Sequence, residues 1–228
     1  MLIQIPRDSA DTYEQIRDMV SAFAREEIRP QAERLDREAE FPAALFKKMA
    51  GLGLFGITTP EAYGGAGGDC YAYAIIMEEL SRGYSAIADQ CGLVELICTL
   101  LGEYGTDAQK ERYLRDITAF DTRVAYCLTE AEAGSDLSGI KTTAVKTGSG
   151  WSLTGSKLWI NNAPFADIGI VLARTDPERG HRGMSVFIVD LHAGGVTRGL
   201  KEHKMGQRAS QVGALFFDGV TVPEEALL

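Results

Sequence analysis

Residues 126–139 read YCLTEAEAGSDLSG. A short apolar run ends at Thr129, two glutamates follow, and Gly134-Ser135-Asp136 makes a turn with no lysine or arginine in the stretch. The spacing of apolar residues changes around it. On the N-terminal side they recur at helical intervals: Ile16, Val20 and Phe23 share a face, with Asp11 and Glu14 placed for a capping box. Pro30 interrupts that helix or starts the next, and Pro42 opens FPAALFKKMAGLG (41–53). AYAIIMEELSRG (72–83) predicts a helix stopped at Gly83. AIADQCGLVELICTLLGEYG (86–105) is apolar on most faces and predicts a buried helix, and Thr106 with Gln109 frames a capping box for the next.

On the C-terminal side the period becomes two. TRVAYCLT, KTTAVKT, WSLTG, KLWINN, IGIVLART, MSVFIVD and ALFFDGVTV read as strands, and the glycines of 148–150 read as a hairpin turn. Strands this close, with no helix between them, are expected to pair antiparallel. The chain is therefore expected to be α+β: an all-helical domain over residues 1–121, then an antiparallel β-barrel or sandwich over 122–228. The glycine-rich AYGGAGGDC (62–70) follows no strand and contains no GxGxxG, which favours a flexible connection over a phosphate cradle.

The bulk numbers narrow the function. The 228 residues carry a formal charge of -9, which argues against sequence-independent nucleic-acid binding. No apolar stretch reads as a membrane span, and the N-terminus MLIQIPRDSADTYEQ has no signal-peptide pattern, so a cytoplasmic location is expected. Cys70, Cys91, Cys98 and Cys127 form no CxxC pair and are expected to be reduced. His181, His192 and His203 have no ligand spacing, and a calcium site from Glu130, Glu132 and Asp136 fits no standard loop.

Two stretches can carry chemistry. Thr129 at a strand end can donate a hydrogen bond at a sheet rim. The AGSD turn lets successive backbone N–H groups converge into a nest for a pyrophosphate without a lysine. In KLWINNA (157–163), alternation puts Trp159 and Asn161 on one side of a strand, an indole face plus an amide suited to a flat heterocycle. The residues alone leave a second reading standing: a core tryptophan, a simple Asn-Asn turn and a solvated acidic loop.

At these residues the sequence resembles the acyl-CoA dehydrogenase family. The family typically shows Y-x-x-T-E-P-x-A-G-S-D, and Tyr126 to Asp136 reads YCLTEAEAGSD; it shows G-x-K-x-[WF]-I-[ST]-N, and Gly155 to Asn162 reads GSKLWINN. GLFGITTPEAYGG (53–65), EELSR (78–82), GTDAQKERYL (105–114) and KMGQRASQVGALFFDGVTVPEEALL (204–228) are family-like as well. The resemblance implies an FAD-dependent oxidoreductase that removes hydrogens across the α,β-bond of an acyl-CoA thioester, in fatty acid metabolism. It implies flavin contacts from Tyr126, Leu128, Thr129, Gly134, Ser135, Trp159, Ile160 and Asn161. Thr129 would bond the ring edge, Ser135 would also meet the substrate's CoA chain, and the helix from Gln90 to Leu101 would line the acyl pocket.

Two positions depart from the family pattern. Ala131 stands where proline is usual, which implies a looser turn, and Asn161 stands where Ser or Thr is usual. The family's base is a glutamate from a C-terminal helical domain, so no catalytic residue is assigned in this chain; Glu130 belongs to the loop and Glu95 to the predicted pocket helix. The chain is accordingly expected to be part of a longer enzyme, inactive alone, that oligomerises and passes electrons to an electron-transfer flavoprotein or similar acceptor. The alternatives are a flavin monooxygenase or oxidase on the same scaffold, or a non-catalytic subunit that needs a partner chain.

Overall fold

The computed structural model describes residues 7–228. The reading of the first residues as lacking a signal peptide falls largely outside them. The helical part comprises α1 (Arg7–Phe23), α2 (Arg29–Glu38), α3 (Ala43–Gly51), α4 (Cys70–Tyr104) and α5 (Asp107–Thr118). Val20 and Phe23 are buried as their spacing predicts, with Ile16 half-buried. Asp11 and Glu14 are inside α1 and do not cap it, because the helix begins earlier than the polar pair suggested. Pro30 starts a helix: a wide π turn, Ala24–Ile28, joins α1 to α2 and absorbs the carbonyl that proline cannot bond. The side chain of Gln31 donates to the Glu27 carbonyl there (2.8 Å).

The stop expected at Gly83 appears one residue later. Helix α4 is broken at Tyr84, whose backbone is extended (φ −167°, ψ 119°). Gly83 also packs closely on the π turn: a Cβ there would lie 3.0 Å from Ile28 Cβ and 3.1 Å from the Ala24 carbonyl, tight enough that a larger residue would push the turn away by a few tenths of an ångström. By length and composition α4 could cross a membrane, contrary to the sequence reading; yet 61% of its most apolar window is buried within the protein. Its break and its buried Glu79, Gln90 and Glu95 mark it as a core helix.

The glycine-rich stretch is not a slack tether. Ala66, Gly67 and Gly68 donate to the carbonyls of Gly56, Thr59 and Ile57 (3.1, 2.9 and 2.7 Å), and a Cβ on Gly65 would sit 2.1 Å from the Thr59 carbonyl. The capping box of α5 forms as read: Thr106 N donates to Gln109 Oε1 (2.8 Å) and Gln109 N to Thr106 Oγ (3.2 Å). All four cysteines are free thiols.

The strands are β1 (Val124–Cys127), β2 (Thr143–Thr147), β3 (Gly150–Asn161), β4 (Ile168–Arg174), β5 (Met184–Asp190), β6 (Val196–Arg198) and β7 (Val212–Pro223). WSLTG and KLWINN are one strand, β3, and the short β6 was not read from the sequence. The two-residue hairpin between β2 and β3 is at Gly148-Ser149. The sheet order is β1-β4-β2-β3-β7-β6, with β5 on the other side of β4. Two features correct the expectation of a purely antiparallel barrel. Strand β1 pairs parallel with β4, because the 40-residue connection from 128 to 167, with the whole β2–β3 hairpin inside it, is long enough for a crossover. The sheet is also open, since its path ends at β1 and β6, which do not pair with one another among the described residues. The fold is thus a helical part followed by an open mixed sheet, packed over a core that includes Leu153, Val171, Phe187, Leu215 and Val220.

By packing, the chain forms two units. Among the described residues, one comprises 7–99, Thr118–Phe120 and Lys204–Ser210; the other comprises Leu100–Ile117, Asp121–His203 and Gln211–Leu228. In the first, Asp36 accepts from Tyr84 Oη (2.6 Å) and Arg208 N (2.9 Å), and Asp89 accepts from Ser210 Oγ (2.6 Å). These bonds fasten the 204–210 segment to α2 and α4.

Candidate functional site

Both motif stretches lie in the β-unit, and the fold joins them. Strand β1 delivers Tyr126, then Leu128 and Thr129 as it leaves the sheet. The next residues turn back at once: Glu130 N donates to the Ala133 carbonyl (2.8 Å) and Ala133 N to the Glu130 carbonyl (3.3 Å). Alanine at 131 therefore still permits a closed turn. Asp136 then accepts from Ser138 N (2.8 Å) and caps a short turn, Leu137–Gly139, and Arg174 Nη2 holds the Ser138 carbonyl (2.7 Å). Gly134, Ser135 and Asp136 are exposed, and their N–H groups have no acceptor among the described residues.

The second stretch sits at an irregularity in β3. Lys157 pairs with Leu215 and Ile160 with Gly213, so Leu158 and Trp159 together face a single residue of β7. The extra residue is a β-bulge. Trp159 has left-handed backbone (φ +55°), is 64% exposed, and is followed by the buried Ile160. Alternation therefore fails between buried Lys157 and exposed Trp159, and it resumes beyond the bulge, where Ile160 is buried and Asn161 half-buried. Tryptophan is normally well buried, so this exposed indole on a left-handed backbone departs from the usual pattern. Asn162 is also left-handed (φ +65°) and buried, with Nδ2 on the Val124 carbonyl (2.9 Å) and Oδ1 unpartnered.

Leu158 N donates to the Thr129 carbonyl (2.9 Å), which brings the loop after β1 against the bulge that presents Trp159. The Thr129 hydroxyl itself has no partner among the described residues. Of the eight candidate residues, Leu128, Thr129, Trp159, Ile160 and Asn161 converge on this junction, and Tyr126 lies just behind it in β1. Gly134 and Ser135 are on the exposed turn beyond.

A buried ion pair escaped the sequence reading. Lys157 is fully buried, and its Nζ bonds Glu130 Oε1 (2.7 Å) and the Leu128 carbonyl (2.9 Å). Glu130 also accepts from Lys141 N (2.6 Å) and Thr142 N (3.1 Å). Burial pushes Glu130 upward, but the bonds from Lys157, Thr142 and Lys141 outweigh it and hold the carboxyl below its ordinary range; burial lowers Lys157. The signal was present: Lys157 follows Leu153 at even spacing, on the inward face of a strand, where a charge requires a partner.

The acidic cluster is accounted for without a metal. Glu130 is bound to Lys157, Glu132 to Lys141, and Asp136 to its own turn. No group of metal-ligating side chains exists among the described residues. Glu95, in the other unit, is equally engaged, accepting from Ile57 N (2.6 Å), Thr58 N (2.9 Å) and Thr58 Oγ.

Comparison with known proteins agrees with the motifs. The sequence profile of the acyl-CoA dehydrogenase N-terminal domain matches residues 10–121, and that of the middle domain matches 125–220. The chain belongs to the acyl-CoA dehydrogenase family. An acyl-CoA dehydrogenase of Bacillus subtilis (strain 168) is 41% identical over 224 residues, covering 95% of this chain and 58% of that protein. A chain in a structure of the electron transferring flavoprotein of Acidaminococcus fermentans superposes with a TM-score of 0.92 at 36% identity, over 100% of this chain and 59% of that one. A glutaryl-CoA dehydrogenase from Mycobacterium smegmatis in complex with FADH2 superposes with a TM-score of 0.89 at 30% identity, over 98% of this chain and 55% of that one. This family member thus spans less than two thirds of the length of each of these proteins.

Proposed function

We propose that the protein serves FAD-dependent α,β-dehydrogenation of an acyl-CoA thioester, and that the Thr129–Trp159 junction is its flavin-facing surface. The observation that carries the reading is the Leu158–Thr129 bond, which sets a free hydroxyl beside an exposed indole on one rim of the sheet. The residues fit a flavin on their own chemistry. The indole offers a flat apolar face, the Thr129 hydroxyl a donor, and the exposed amides of Gly134 to Asp136 an anion nest. Bound FAD supplies the hydride acceptor.

The chain's own residues would then act as follows. Trp159 and the Tyr126–Leu128 backbone pack beside the ring system, and Ile160 and Asn161 approach it from the bulge. Thr129 donates where negative charge gathers on reduction. Gly134 and Ser135 serve the pyrophosphate, with Ser135 also meeting the CoA chain. Glu95 and Glu130 are excluded as the α-proton base because their carboxylates are already filled by structural donors, so the 228 residues by themselves are expected to be inactive. An electron-transfer flavoprotein as acceptor, a homo-oligomeric state and a cytoplasmic location complete the proposal.

The test is anaerobic addition of straight, branched and dicarboxylic acyl-CoA thioesters to flavin-loaded protein expressed from its complete gene. Bleaching of the flavin absorbance by one of them, with slow reoxidation by oxygen, is the expected result. Absence of bleaching by every thioester, or no flavin binding, overturns the reading; fast reoxidation by oxygen would favour an oxidase or monooxygenase.

A further inference from the structure

Three consecutive residues of the loop after β1 are tied to two consecutive residues of β3. The Leu128 carbonyl accepts from Lys157 Nζ (2.9 Å), the Thr129 carbonyl from Leu158 N (2.9 Å), and the Glu130 carboxylate from Lys157 Nζ (2.7 Å). The same carboxylate reaches the chain leading into β2, through Lys141 N and Thr142 N (2.6 and 3.1 Å). Backbone bonds alone would leave one link, Leu158 to Thr129, between an irregular loop and a bulge. Thr129 has left β1 and Leu158 lies in the bulge, outside the paired positions of the sheet, and the other tie between the two segments, Asn162 Nδ2 on the Val124 carbonyl (2.9 Å), is beyond the bulge.

We infer that Glu130 and Lys157 are positioning residues: a buried latch that sets the register of Thr129 against Trp159, and through it the spacing of the two segments that face the flavin. The inference rests on the flavin reading of this surface for its functional half, and on the bond pattern alone for its structural half. Neither side chain touches the surface itself. Lys157 is fully buried and Glu130 nearly so, whereas Trp159 is exposed. A buried ion pair is a poor device for stability, because desolvation of both groups offsets their attraction and a matched apolar pair often does as well. What an apolar pair cannot do is bond the Leu128 carbonyl and the Lys141 and Thr142 amides at once. The retained charge is thus explained by geometry, with the acid kept ionised by the same bonds that hold the loop.

The test is the double variant E130L/K157M in the full protein, alongside wild type and each single change. Three quantities are measured: the thermal midpoint, hydrogen exchange at the Leu158 amide without flavin, and FAD affinity by titration. The single changes leave one buried group unpaired and should lower the midpoint. In the double variant no lone buried charge remains, so the midpoint should lie above those of both single variants, short of wild type because the Leu128 carbonyl and the Lys141 and Thr142 amides lose their partners, while Leu158 exchanges at least about tenfold faster and FAD binds at least about tenfold more weakly. Recovery of stability without recovery of binding is what a purely stabilising pair would not show. Wild-type exchange at Leu158 in the double variant would overturn the latch, as would wild-type FAD affinity. If wild-type protein binds no FAD at all, the flavin reading falls, and the latch then stands or falls on the Leu158 amide.

Discussion

Replacing Trp159 with glycine separates what the indole does for the fold from what it does for a ligand. Its φ of +55° lies in the left-handed region, which costs a non-glycine residue about 1–2 kcal/mol and glycine almost nothing. The side chain is 64% exposed, so the change gives up only about a third of the roughly 200 Å² that a tryptophan can bury. At about 25 cal/mol per Å², that is about 2 kcal/mol. Strain relief and lost burial nearly cancel, and the extra freedom of glycine in the unfolded chain adds about 0.5–1 kcal/mol against the variant. Flavin-free W159G should therefore unfold within about 2–4 °C of wild type. If the exposed part of the indole, about 130 Å², packs on the flavin, its loss removes about 3 kcal/mol of binding, which weakens Kd by about 100-fold. Calorimetry of the flavin-free protein and a flavin titration give the two numbers. An unchanged Kd would remove Trp159 from the site. A midpoint lowered by more than about 10 °C would show that the indole is core despite its exposure.

Thr129→Val should leave the fold intact, since the bond Thr129 makes to Leu158 uses its backbone carbonyl, yet lower flavin potential or retention; equal values by redox titration would discount its hydroxyl. Glu95→Gln should cost about 2–3 kcal/mol of stability, because an amide cannot accept all three donors that Ile57 and Thr58 direct at the carboxylate, while turnover of the folded enzyme stays within about threefold; loss of about a thousandfold would instead make Glu95 a proton-transfer group. Acidification should expose the depressed carboxyls. Asp36 is held down chiefly by Tyr84 and by the Arg208 amide, and Glu130 by its bonds to Lys157, Thr142 and Lys141 against the pull of burial. A lowered folded-state pKa contributes stability above the unfolded value and loses it as pH falls through the folded one. The midpoint should be flat from neutral pH to about 5 and decline below about 4.5, near the ordinary carboxyl values, with D36N showing a shallower decline; an identical slope in D36N would discount that group.

The extent to which the sequence was legible follows the range of the interactions. The helices are set by contacts three and four residues apart, so the face of Val20 and Phe23 and the reciprocal Thr106–Gln109 cap could be read directly. The capping assignment at Asp11 failed because the same polar pair is equally at home inside a helix, and α1 already begins at Arg7. The hairpin at Gly148-Ser149 and most strands were legible for the same local reason. The two motifs around Thr129 and Trp159 stood out in the sequence through their resemblance to the family, since a hydroxyl, a glycine turn and an indole alone fit a core residue and a solvated loop as well as a ligand site.

The sequence by itself determined the α+β order, the turn residues, the chemical character of the candidate surface and the family to which the chain belongs. Tertiary structure alone decided that β1 pairs parallel with β4 across the β2–β3 hairpin, because pairing across a long crossover depends on where the chain returns and leaves no local trace. It decided that Leu158 and Trp159 share one partner position, which turns the indole outward against the alternation of the strand. It decided also that Lys157 meets Glu130, 27 residues away in the chain. A buried charge must find its counter-charge, but which one it finds is fixed only when the sheet has closed around both.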